Sequence, residues 1–258
     1  MELKLIDSHA HLYVNEFDSD LPLVLDRARQ VGISRIFLPA IDSHSHEAMA
    51  RLEKNSAGFC RSMMGLHPCS VRENYQSELD KVAENLARGG YVAVGEIGMD
   101  LYWSKSFLVN QKHVFNYQTE LALHYNLPIV IHSRNATEEC LAIVRNHQKG
   151  RLKGVFHCFS GNLVQAKEAI ELGFYLGIGG VITYKNSGGL DHIVKETDLR
   201  HILLETDSPY LSPVPFRGKR NESSYLKFIA QKIAELKETR LEDVAGITTM
   251  NAEELFGL

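Results

Sequence analysis

Eight short apolar runs, each parted from the next by a stretch with helical spacing, constrain this chain more than anything else in it. The runs lie at 3–12, 33–39, 62–68, 91–98, 128–133, 154–159, 174–180 and 201–207 and are dominated by Val, Ile, Leu, Phe and Met. Between them, 21–31, 47–55, 79–88, 107–125, 137–147, 165–172 and 190–196 read as helices, with further helix from 225 onward. Glycines stop several of these, as at Gly32 and Gly89. Near-continuous apolar strands joined by crossover helices imply a parallel sheet whose outer face the helices cover. Eight such units in 258 residues suit a (β/α)8 TIM barrel. No linker or low-complexity segment interrupts them, so 1–258 is read as a single domain. An open doubly wound sheet is the alternative, but it calls for a glycine-rich phosphate turn after the first strand, where His9-Ala10-His11 stands.

Composition sets outer limits on function. A chain that is 44% hydrophobic and 23% charged can bury a sizeable core. The net charge of -4 and pI near 6.3 exclude a generally basic nucleic-acid coat while leaving room for a local basic groove. Cys60, Cys69, Cys140 and Cys158 make no C-x-x-C pair, which points to a reduced, cytoplasmic protein. No charged leader precedes an apolar segment and no apolar run reaches about 18 residues, so no membrane association is expected. A monomer is the default.

The polar residues inside the apolar runs fall at their C-terminal ends: His9 and His11, His67, Glu96, His132, His157 and Asp207. In a barrel those ends converge on one mouth, where active sites are built. Burying so many imidazoles and carboxylates unpaired would cost several kcal/mol apiece, and bound cations remove that cost. His44 and His46 share the two-residue spacing of His9 and His11 but lead into a helix, where such residues do not share a face; both are expected at the surface. Four histidines and two carboxylates exceed the roughly three protein ligands of one open catalytic site. Two divalent ions (Mg, Mn or Zn) bridged by a mid-ring carboxylate therefore fit better, and Glu96 is best placed to bridge. A hydroxide between the ions would be the nucleophile, and Asp207 would bind metal and shuttle a proton.

Six motifs together resemble the TatD family of metal-dependent hydrolases, within the amidohydrolase-like barrels. They are Asp7-Ser8-His9-Ala10-His11, Gly65-Leu66-His67-Pro68, Gly95-Glu96-Ile97-Gly98-Met99-Asp100, His132-Ser133-Arg134, His157-Cys158-Phe159-Ser160-Gly161 and Leu204-Glu205-Thr206-Asp207-Ser208-Pro209-Tyr210. The resemblance implies a binuclear site with His9, His11, Glu96, His132, His157 and Asp207 as ligands and Glu96 bridging. It also implies a deoxyribonuclease that trims DNA 3′ to 5′. Two departures are visible: Ser223 replaces the family's proline after Asn221-Glu222, and Glu139 stands where Asp is common.

Other residues are weighed more lightly. His67, Arg134 and Arg217 are candidate substrate contacts, the arginines because loop cations after strands can hold phosphates. Glu205 reads either as the orienting partner of a ligand or as a structural ion pair. Tyr102 and Trp103 could stack a base or cap the mouth. Cys158 has the opposite strand parity to His157 and is read as packing against the helices. The leading function is a metal-dependent phosphodiesterase on single-stranded DNA ends. The alternatives are an ester or amide hydrolase, such as an aminoacyl-tRNA deacylase, and a non-catalytic, metal-stabilised binding module.

Overall fold

A computed structural model describes residues 3–258. The chain alternates strand and helix as β1 (Leu5–Asp7), α1 (Leu21–Gln30), β2 (Ile33–Leu38), α2 (His46–Asn55), β3 (Cys60–Ser62), α3 (Tyr75–Arg88), β4 (Val94–Asp100) and α4 (Leu108–Tyr125). It continues through β5 (Ile129–Arg134), α5 (Thr137–His147), β6 (Gly154–Phe156), α6 (Leu163–Glu171), β7 (Phe174–Ile178), α7 (Leu190–Glu196) and β8 (Ile202–Leu204), and ends with α8 (Leu226–Leu236) and α9 (Leu241–Phe256). Local chemistry sets several boundaries. Asn162 and Gln165 form a reciprocal capping box at the start of α6. Gly32 turns α1 into β2 at φ +88°, and a Cβ there would lie 2.0 Å from the Leu3 carbonyl oxygen, so only glycine fits.

All strand pairs are parallel, in the orders β1-β2-β3 and β4-β5-β6-β7-β8. Short bridges close both seams. Met64 pairs with Val94, supported by Gly95 N donating to Met64 O at 3.0 Å. Ala10 pairs with Ser208, supported by Ser8 N to Leu204 O at 3.0 Å and Asp207 N to His9 O at 2.9 Å. The result is the expected eight-stranded barrel. Its helices pack on the outside through one large apolar cluster. A second, separate cluster takes Ile6, Phe37, Met63, Val130, Val155 and Leu203 from around the ring and joins them to Ala252, Leu255 and Phe256 of α9. The Phe37 and Phe256 rings lie 4.2 Å apart. One end of the barrel is thus plugged with apolar side chains, and the polar residues are left to the other.

Outside β4 and β5, regular pairing stops earlier than the apolar runs do. β3 ends at Ser62, β6 at Phe156 and β8 at Leu204, whereas the runs extend to 68, 159 and 207. The chain bends away at these points: Cys158 has φ +44° and Asp207 φ +56°. His9, His11, His67, His157 and Asp207 therefore stand on the short segments that leave the barrel, whereas Glu96 and His132 remain on the paired strands β4 and β5.

Candidate metal centre

His9 and His11 are held between two neighbouring strands. Ala10 N donates to Phe37 O at 3.0 Å, and His11 N donates to Ser208 O at 2.7 Å. Their Nε2 atoms come within 3.3 Å of each other. Glu96 Oε2 lies 3.2 Å from His9 Nε2 and 3.6 Å from His11 Nε2. Asp207 Oδ1 is 3.8 Å and 3.7 Å from the same two nitrogens. The other oxygen of Glu96 faces a different set: Oε1 is 2.8 Å from His132 Nδ1, 3.3 Å from His67 Nε2 and 3.7 Å from His157 Nε2. One buried carboxylate divides the ring into two groups of ligand atoms.

Behind the ring, hydrogen bonds at His11 and His132 and a close carboxylate at His157 set which nitrogen faces inward. Tyr13 OH donates to Pro39 O at 2.6 Å, so it accepts from His11 Nδ1 at 2.9 Å. In neutral His11 the proton then sits on Nδ1 and the Nε2 lone pair faces the ring. Asp100 Oδ2 takes His132 Nε2 at 2.8 Å, leaving Nδ1 toward Glu96. Glu205 Oε1 lies 3.1 Å from His157 Nδ1, leaving Nε2 toward Glu96 and Asp207. Carboxylates or other acceptors behind inward-facing imidazoles are the usual support of metal-binding histidines.

Electrostatics fit a cation. Burial would raise the Glu96 carboxyl, but His67, His9 and His157 outweigh it and hold Glu96 well below the usual carboxylate range. Burial, reinforced by His157, lowers His9 well below the ordinary imidazole value, so His9 is neutral. Nitrogen lone pairs and carboxylate oxygens converging on one buried point need a positive charge among them. A mixed imidazole and carboxylate set is what zinc-like or manganese-like ions accept. The residues fit the metal. Burial also pushes the Asp207 carboxyl up to about 6, with His157 and His11 only partly opposing it.

The ring floors a cavity of about 760 Å³ whose walls include Cys69, Ser133, Trp103, Arg134, Tyr210 and Leu211. The sequence profile described as TatD related DNase matches residues 6–257. The chain belongs to the TatD family. It is 41% identical over 253 residues to "Uncharacterized metal-dependent hydrolase YabD" of Bacillus subtilis, covering 98% of each chain. It is 31% identical to the "3'-5' ssDNA/RNA exonuclease TatD" of Erwinia amylovora, covering 98% of this chain and 100% of that one. The crystal structure of the TatD homologue YjjV from Escherichia coli superposes with a TM-score of 0.94 at 30% identity, with full coverage of both chains. This TatD-family protein is a metal-dependent hydrolase with a TIM-barrel fold.

All six expected ligand residues of the TatD-family chain, His9, His11, Glu96, His132, His157 and Asp207, come together. His67 joins them at Glu96 Oε1. Arg134 lines the cavity, but Arg217 does not: its guanidinium lies 4.3 Å from the centre of the Tyr184 ring. Arg220 is engaged with Asp20 at 2.7 Å. Cys158 corrects the parity reading, because β6 has ended before it and the residue lines the cavity instead of the helix layer. Burial, with Asp207 and Glu205 adding to it, raises its thiol well above the ordinary range. Of the two surface histidines, His44 is exposed, but His46 Nε2 is buried at the first turn of α2 with no hydrogen-bond partner. Trp103 lines the cavity, and the Tyr102 and Trp103 rings are both exposed.

Asp100, which stands in a family motif without an assigned role, and Tyr13 are the supporting residues that the structure adds. Asp100 shares the strand parity of Glu96 on β4, so the period-two rule pointed to it. Tyr13 is recognised only from the fold, since its partner Pro39 comes from the end of the next strand. A third support lies under Asp207. The buried Asp7 carboxylate accepts from Thr206 N at 2.9 Å and from Thr206 Oγ1 at 2.7 Å, while Asn221 Nδ2 donates to Thr206 O and Tyr210 O at 2.7 and 2.6 Å. These bonds hold the turn that carries Asp207.

Proposed function

We propose that this TatD-family hydrolase is a phosphodiesterase acting on single-stranded DNA ends, releasing nucleotides 3′ to 5′, with two divalent cations at the barrel mouth. The observation that carries the reading is the divided ring: Glu96 Oε2 faces His9, His11 and Asp207, while Oε1 faces His132 and His157. His9, His11, Glu96 and Asp207 would hold one cation, and Glu96, His132 and His157 the other. When bound, the cations polarise a phosphoryl oxygen and make water nucleophilic at neutral pH.

The remaining roles belong to the protein. Asp207 is 15% exposed where Glu96 is 2% exposed, so its carboxylate is the one that can exchange a proton with the cavity. Arg134 on the wall supplies a positive charge for a substrate phosphate. His67, beside Glu96, is placed to donate to a phosphoryl oxygen. Asp100, Glu205 and Tyr13 orient His132, His157 and His11 so that substrate meets a preorganised ring. The ring lies at the cavity floor, which favours a chain end over the middle of a duplex. The relative from Erwinia amylovora bears an exonuclease name, and this supports the same substrate class.

Release of nucleotides from 3′-labelled single-stranded DNA in magnesium or manganese, for wild type and Asp207→Asn in parallel, tests the reading. Wild type is expected to shorten the strand and the variant to lose at least about 100-fold, the scale of a lost proton-transfer group. Equal rates in both would refute the role of Asp207. An intact strand with wild type, alongside turnover of an ester or aminoacyl-tRNA, would replace the phosphodiesterase with an ester hydrolase.

A further inference from the structure

Trp103 is the single tryptophan of the chain, and it stands 70% exposed on the cavity wall. Beside it Tyr102 is 53% exposed, and the two rings meet edge to face with centroids 5.0 Å apart. Among the described residues, the large aromatic side chains left strongly exposed are Tyr102, Trp103 and Tyr210, and all three sit at or next to this mouth. Isolated exposed apolar residues need no explanation, but a concentration of them at a polar site does.

The pair is not a loose loop tip. Asp100 Oδ1 accepts from Tyr102 N at 3.0 Å and from Trp103 N at 3.1 Å, while the other oxygen of Asp100 holds His132. The aromatic step and a ligand of the centre are thus fixed by the same carboxylate. Arg134 covers Tyr102, its guanidinium carbon 3.8 Å from the ring centroid and 5.3 Å from that of Trp103. Tyr102 is therefore already stacked, and the indole is the more open of the two rings. A flat π-face beside a cation, at the edge of a site for phosphodiester chemistry, is the arrangement that holds an unpaired base.

We propose that Trp103, backed by Tyr102 and Arg134, is the stacking platform for a base at the 3′ end of a single strand and sets the preference for a base-bearing end. The proposal rests on the single-strand reading above. Base stacking is tolerant of sequence because every base has a π-face, so the platform would select for the presence of a base and not for its identity.

Because Trp103 is the only indole, its emission reports the platform directly. Magnesium-loaded protein is titrated with an oligothymidylate protected by 3′ phosphorothioate linkages, and with the same strand ending in an abasic residue. Saturable quenching by the first and little by the second is expected. In cleavage assays Trp103→Ala should raise KM for the base-bearing strand about tenfold and leave the abasic strand unchanged. Trp103→Phe should restore most of the loss. The ring is exposed, so its removal leaves the fold intact, and unchanged metal content confirms this. If both strands bind and are cut equally with emission unaltered, the platform is wrong while the exonuclease stands. If neither strand binds or is cut, the nucleic-acid reading fails and the platform fails with it. Quenching by an aromatic amino-acid ester alone would overturn the base as occupant.

Discussion

Replacing Asp100 by Asn should weaken the metal centre although Asp100 is not expected to touch a metal. The carboxylate works with both oxygens: Oδ2 receives His132 Nε2 at 2.8 Å, and Oδ1 receives the backbone N–H groups of Tyr102 and Trp103. An amide has one acceptor oxygen and one donor nitrogen. If the oxygen serves the backbone, the NH2 group faces His132 Nε2 and favours the tautomer with its proton on Nδ1, the nitrogen that must face Glu96 Oε1. If the oxygen serves His132, two backbone donors lose their partner. Loss of such a supporting carboxylate costs about 10- to 100-fold in metal affinity or activity, or about 1.4–2.8 kcal/mol by the tenfold-per-1.4 relation. Chelator competition would measure the affinity of each metal site, alongside kcat/KM as a function of metal concentration. The site that includes His132 should lose the affinity, and saturating metal should recover most of kcat. A variant with unchanged metal affinities and a lowered unfolding midpoint would refute the reasoning, because Asp100 would then only hold the loop.

Three further outcomes follow. Tyr13→Phe removes the acceptor for His11 Nδ1 and should lower metal affinity by about tenfold; isothermal titration of metal-free protein checks this, and an unchanged constant contradicts it. Phe256→Ala opens the apolar plug against Phe37 and should cost about 3–5 kcal/mol in urea unfolding, with folded protein keeping its metal content. The third concerns pH. In the metal-free protein burial would lower the His157 imidazole, but Glu205 and Glu96 outweigh it and push it up to about 10. This raised value stabilises the metal-free fold fully below the ordinary histidine range, and the contribution fades as pH rises through about 10. Metal needs the neutral imidazole, so binding near pH 7.5 should release at least about one proton and tighten toward pH 10. Calorimetry in two buffers of different ionisation enthalpy counts the protons; none released would contradict the assignment.

The barrel and the convergence of the candidate ligand residues could be read from residue order because both depend on patterns the chain repeats. Apolar runs alternate with helical stretches, and each ligand residue ends a run, so convergence at one mouth follows from topology. What escaped the pattern lies where regular pairing stops. Strand parity placed Cys158 with the helices, but parity holds only while the ladder does, and β6 ends at Phe156. Arg217 follows the last strand as expected for a rim residue, yet the segment from 211 to 220 turns it onto Tyr184; loop position carries no direction. Asp100 was within reach of the period-two rule, whereas Tyr13 depends on a contact with Pro39 across 26 positions.

The central claim is one centre of two cations parted by Glu96. Anomalous diffraction from crystals of the zinc- or manganese-loaded protein, with metal content measured on the same preparation, tests it most directly. Two peaks are expected, one beside Glu96 Oε2 among His9, His11 and Asp207, the other beside Oε1 between His132 and His157. A single peak at full loading, or peaks that leave Glu96 uncoordinated, would contradict it.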